Sequence, residues 1–189
     1  MSSLPPKAQS VNIEGYPDGY VPPMAYQRQV LEGGFTRLEI SAPSEKLPVL
    51  HQALAAKIST PCKIRYVKMV DRHRGQLPKP ESYVAVEITA ERLAQVLQQL
   101  STLLYHDGRN QLWIQGRLDS ERLILDELGV IYAYPDDFAY REVLDSLGWK
   151  EVNHQSMAAR DYVRVNFLPS SDAEEQVLIQ SLGMMRWDG

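Results

Sequence analysis

An α+β fold with a ferredoxin-like (split βαβ) core is the class this 189-residue sequence predicts, and three observations carry it. Between residues 35 and 117 the apolar period switches between two and about 3.6, in the order strand, helix, strand, strand, helix, strand. Shorter segments of the same two kinds follow, giving a C-terminal βαβα extension packed on the sheet. Residues 1–33 carry no apolar period but hold Pro5, Pro6, Pro17, Pro22 and Pro23, five of the twelve prolines. They read as a flexible Pro/Gly/Tyr-rich arm, and 34–189 as a single compact domain.

Each element has a local reason. Phe35–Ser41 suits a strand. Ser44 can cap a helix on which Leu47, Leu50, Leu54 and Ile58 repeat at helical spacing, with Pro48 in its tolerant first turn. Cys62–Val70 sets Ile64, Tyr66 and Lys68 against Lys63, Arg65 and Val67, a period of two. A polar loop, 71–82, leads to a strand at Tyr83–Ile88. Thr89 then caps a helix whose stripe is Leu93, Val96, Leu97, Leu100, Leu103 and Leu104. Gln111–Arg117 closes the core.

In the extension, Arg122–Leu125 and Val130–Tyr134 are short strands joined by a tight turn. Asp136 or Asp137 caps a helix that Gly148 stops. Tyr162–Phe167 alternates as a strand, and Ser171 with Glu174 has the spacing of a capping box for a last helix.

Composition narrows the class. Hydrophobic residues form 44% and charged residues 23%, enough for a substantial core, and the net charge of −4 gives no general attraction to nucleic acid or anionic membrane. The chain opens without a basic start and apolar run, and no stretch reaches the roughly 18 apolar residues of a membrane span. Cys62, the single cysteine, allows no intrachain disulfide and no cysteine-based zinc cage. A cytoplasmic protein in a reducing setting is expected, with no metal and no cofactor.

Two candidate sites emerge. Strand and helix directions bring residues 41–47, 71–82 and 106–110 to one end of the sheet. Arg72, His73, Arg74, His106 and Arg109 there suit a small phosphate or carboxylate near a helix start. A catalytic version would pair His106 with Asp107, against a plain reading as a helix-ending turn in which Gly108 supplies a left-handed residue.

The second candidate is a polar strand face carrying Trp113, with Tyr132 and Tyr134 alike on their strand, a surface for a protein partner or self-association unless the C-terminal helices cover it. Nucleic acid is not expected, because Tyr83–Ile88 lacks the basic-glycine start and paired aromatics of an RNA-binding strand, although the locally basic stretch 57–79, with Lys57, Lys63, Arg65 and Lys68, leaves binding by charge alone open. The zinc-hydrolase, phosphate-loop and dinucleotide motifs are absent. The leading expectation is therefore a non-catalytic interaction or regulatory module. The alternative is an enzyme or sensor for an anionic ligand at the basic sheet end.

Overall fold

A computed structural model describes residues 4–71, 73–164 and 168–187. The chain runs β1 (Ala8–Ser10), β2 (Ala25–Val30), β3 (Thr36–Ser41), α1 (Leu47–Ala55), β4 (Cys62–Asp71), β5 (Gly75–Ile88), α2 (Ala90–Gln99), α3 (Ser101–His106) and β6 (Asn110–Gln115). It continues through β7 (Arg122–Leu125), β8 (Ile131–Tyr134), α4 (Phe138–Ser146), β9 (Lys150–Glu151), β10 (Tyr162–Arg164), α5 (Pro169–Ser181) and β11 (Met185–Trp187).

Nine strands form one sheet in the order β11-β5-β4-β6-β7-β8-β3-β2-β9, antiparallel except for the β2–β9 pair. The protein is thus a mixed α+β structure with a large, mostly antiparallel sheet. The sequence order of the expected core is retained, but its sheet order is not. A split βαβ places one strand between the two strands that flank the first helix. Here β6, β7 and β8 all stand between β3 and β4. The 122–134 hairpin, expected to pack on the sheet, instead pairs edge to edge with β6 and β3 and joins the two halves.

The helices lie on one face. Leu50 and Leu54 of α1, Leu97 of α2, Leu104 of α3, Leu144 of α4 and Leu178 of α5 share one buried cluster with Ile64, Leu112, Ile114, Leu123 and Leu38 of the sheet. The strand alternation explains this, since each of those strands turns every second side chain to the helices. α2 begins as expected, with the Arg92 N–H donating to Thr89 Oγ1. The long helix expected there is broken at Leu100 (φ −106°, ψ 35°), which keeps Leu100, Leu103 and Leu104 all in the core.

At the C-terminal side, Asp137 caps α4 by accepting from Ala139 N–H at 2.7 Å, and Gly148 follows with φ +89°. The capping box at Ser171 and Glu174 does not form. α5 starts earlier, at Pro169, and Glu174 instead accepts the Leu103 N–H at 2.8 Å. Glu175 anchors the same helix by accepting from Tyr66 Oη at 2.7 Å and Lys68 Nζ at 2.9 Å.

The arm expectation also changes. β2 pairs with β3 along six residues and with β9, while β1 pairs with β10 in a separate two-stranded sheet. Backbone pairing compensates for the missing apolar period, because each ladder bond satisfies a donor and an acceptor. Residues 165–167, the far end of the strand expected at 162–167, lie outside the described residues.

Candidate functional site

The anion site expected at one end of the sheet draws on the loops after β4 and before β6. Arg109 carbonyl accepts from Met69 N–H at 2.7 Å, so the end of β4 and the turn before β6 meet. A cavity of about 230 Å³ at that end is lined by Lys7, Ser44, Leu47, Tyr105, Gly129 and Met157, which brings the start of α1 and the end of α3 to the same place. Arg72 lies outside the described residues.

Arg74 and Arg109 are already paired there. Arg109, 4% exposed, donates from Nε and Nη2 to the fully buried Asp107 at 2.9 and 2.6 Å, and from Nη1 to Asp172 at 3.0 Å. Arg74 reaches Asp71 and Glu81 at 3.4 and 3.0 Å. The backbone N–H groups of Arg74 and His73 also close on Asp71. Those bonds, with Lys68 beside it, hold its carboxyl well below the usual range.

His106 and Asp107 do not form a dyad: Asp107 faces Arg109, while His106 Nδ1 meets the Pro5 carbonyl at 2.8 Å. Gly108 is not in the left-handed region; what it permits is close approach, since a Cβ there would lie 2.4 Å from the Lys7 carbonyl oxygen. The space is taken by the chain's own Lys7, 2% exposed, whose Nζ donates to the carbonyls of Asn110 and Leu104.

The second candidate surface is differently placed. Arg65, Trp113, Ile124 and Tyr132 stand in register across β4, β6, β7 and β8, on the face opposite the helices. Tyr134 follows Tyr132 on that face, and Arg37 of β3 stacks over both rings, 4.4 and 5.8 Å from their centroids. Trp113, Tyr132 and Tyr134 therefore share the face opposite α1–α5. Its β8–β3 side is partly roofed by the segment around Met157, which packs with Tyr20 and Tyr132, and by Ser156, whose hydroxyl donates to Glu39.

Toward the other edge the face is cationic and aromatic together. The Arg65 guanidinium lies between two indoles, 4.4 Å from the Trp187 ring centroid and 5.2 Å from that of Trp113. Lys63 Nζ is 5.5 Å from the Trp187 ring. Arg65 donates to Ser82 Oγ at 2.9 Å, and burial pulls its pKa below the ordinary value. Trp113 is oriented by its own Nε1–H bond to Gln111 at 2.8 Å, and Gln111 donates in turn to Glu127.

Lys63, Arg65, Arg122 and Arg37 enter none of the ion pairs among the described residues. Three hollows follow one another across this face. One of about 320 Å³ contains Val67, Lys79 and Ser82, and one of about 200 Å³ contains Lys63 and Arg122; Arg65, Trp113 and Trp187 line both. The third, of about 560 Å³, joins at Arg122 and continues to Tyr134, Pro135 and Phe35.

Trp187, Arg122 and Arg37 escaped the sequence reading as parts of a site, whereas Lys63 and Arg65 belong to its basic stretch 57–79. Lys63 and Arg65 did carry a signal, since their alternation against Ile64 and Tyr66 puts them opposite the core. Among the described residues no group of three or more His, Cys, Asp or Glu side chains is arranged to hold a metal, and no helix is long and apolar enough to cross a membrane. No protein-family model, curated protein or solved structure matches the chain.

Proposed function

We propose that the protein is a non-catalytic interaction module of a reducing compartment such as the cytoplasm, which receives an anionic partner on the uncovered face of its sheet. The observation that carries this reading is Arg65, a guanidinium partly withdrawn from water, stacked between Trp113 and Trp187, and without a carboxylate in any ion pair among the described residues. A cation so placed has lost hydration without gaining a counter-charge, and an incoming anion supplies one. Trp and Arg are also the side chains that most often dominate binding energy at interfaces. The sheet end supports anion binding less well, because Asp71, Glu81, Asp107 and Asp172 already engage Arg74 and Arg109.

The rings of His51, His106 and His154 bond to Tyr105, the Pro5 carbonyl and Ser41, and no ion pair among the described residues joins a histidine to a carboxylate.

Intrinsic fluorescence tests the reading directly, because Trp113 and Trp187 lie on the face while Trp149 is buried at 3% exposure. Titration with heparin, a sulfated polyanion, at low salt is expected to change the emission saturably. A Lys63→Ala/Arg122→Ala variant should lose most of that response. Emission indifferent to heparin in the unaltered protein would remove the proposal.

A further inference from the structure

Resting on that reading, we infer that the anionic partner is a single-stranded nucleic acid, its bases stacking on Trp113 and Trp187 and its phosphates meeting Lys63, Arg65 and Arg122. Three features select this chemistry. The first is the interleaving of flat rings with cations. Single strands are held by a cationic track plus aromatic side chains, because every base offers a π-face and every linkage a negative charge. Here Arg65 and Lys63 sit within 5.5 Å of the Trp187 ring centroid, and Arg65 bridges to Trp113.

The second feature is preorganisation. Trp113 is held by Gln111, which Glu127 holds in turn, so little side-chain freedom remains to be lost on stacking. Trp187, by contrast, is 45% exposed and open to a base.

The third is the direction of the surface. The hollows cross β4, β6 and β7, each paired with a strand on both sides, so an extended peptide could not add as a further strand there; at β5 the outer side is paired with β11 at Ser82–Val84. An acidic peptide would satisfy the cations and leave the indole faces unused. A duplex hides its base faces and would engage only the charges. Of the carboxylates at this surface, Asp119 and Glu127 are held by Gln115 and Gln111, and Glu39 by Gln27, Gln29 and Ser156, while Glu32 lines only the far hollow beside Phe35.

The deciding experiment is fluorescence anisotropy with a labelled twelve-nucleotide oligothymidylate, set against its duplex, polyglutamate and heparin at equal charge. The single strand is expected to bind at least about tenfold more tightly than the duplex or polyglutamate. Three neutralised phosphates would weaken binding about twentyfold between about 50 and 200 mM salt.

Trp113→Ala and Trp187→Ala should each cost about tenfold. Trp113→Phe, which keeps a ring, should stay within about threefold of the unaltered protein. An unchanged thermal midpoint in Trp187→Ala, whose ring is at the sheet edge, guards against a folding artefact. Equal binding of single strand and duplex, or loss-free tryptophan variants, would overturn the nucleic-acid assignment. Tighter binding of polyglutamate would do so in favour of an acidic protein. In these cases a preserved heparin response leaves the anionic-partner reading standing. Silence toward both oligonucleotide and heparin removes both.

Discussion

The ammonium of Lys7 lies 2.9 Å from the carbonyl oxygen of Asn110, 103 residues further along the chain, and both residues are buried. A second contact, to the Leu104 carbonyl at 3.1 Å, completes a socket for the N-terminal segment at the end of the sheet. Burial lowers the Lys7 pKa, with Asp126 and Asp107 opposing that shift, so the socket is an internal ion site occupied by the protein itself. Replacing Lys7 by Ala removes the donor and leaves two buried carbonyls short of a partner. The expected cost is about 3 kcal/mol in urea unfolding, with faster proteolysis within residues 11–24. Unchanged unfolding and unchanged cleavage would show that the segment is held by other contacts.

Gly108→Ala attacks the same joint without touching a charge. A Cβ at Gly108 would stand 2.4 Å from the Lys7 carbonyl oxygen, a backbone atom that cannot rotate away. The segment must shift, and the variant should approach Lys7→Ala in proteolytic sensitivity while losing about 2 kcal/mol. Combining the two changes should cost clearly less than their sum, because both release one contact.

Arg109→Ala leaves the Asp107 carboxylate buried at 0% exposure with its guanidinium partner gone. Removing one member of a buried pair costs about 3–5 kcal/mol. Arg109→Lys keeps the charge but not the two-toothed geometry, so it should recover only part of that loss. Provided the protein is kept below its unfolding temperature, heparin binding should be the same in Arg109→Lys as in the unaltered chain. A heparin defect confined to this variant would return the anion site to the sheet end.

Local periodicity made much of this architecture legible. Alternation in 62–70 and 111–115 identified β4 and β6 and placed Trp113 opposite the core, and the Leu stripe of 93–104 identified the helical segment between β5 and β6. What escaped depends on partners distant in the chain. β2 (Ala25–Val30) contains two glutamines and an arginine, follows a proline pair, and gains its strand character from pairing with β3. Sheet order is likewise non-local: nothing within 122–134 says that β7 and β8 will join the main sheet.

The charge of Arg109 could not be judged from the sequence, because Asp172 reaches it across 63 residues. Trp187 sits on a three-residue strand at the chain's far end, where period carries almost no information. Its role appears only through Arg65, which stacks on it from another strand.

His51 connects the core to acid stability. Its ring is fully buried, with Nδ1 3.1 Å from Tyr105 Oη and no hydrogen-bond partner at Nε2 among the described residues. Burial, aided by the nearby Lys7 charge, lowers its pKa from 6.5 to about 3. Between those values the unfolded chain binds a proton that the folded one refuses. This contribution is therefore complete above pH 6.5 and is lost as pH falls toward 3. Asp126 runs the opposite way: burial raises its pKa to about 7, so stability from that group declines as pH rises from 3.8.

A comparison with His51→Gln separates the two, since glutamine can still bond Tyr105 but does not titrate. The unaltered protein should lose stability relative to the variant by up to about 1.4 kcal/mol per pH unit below pH 6.5, a few kcal/mol in all. Asp18, held at about 2 by bonds from Ser10, Tyr20 N–H and Arg160, contributes its own loss only below 3.8 and in both proteins alike. Urea midpoints measured from about pH 4 to 8 decide the matter. Parallel curves for the two proteins would mean that His51 stays neutral, or finds a compensating partner, in the unfolded chain as well.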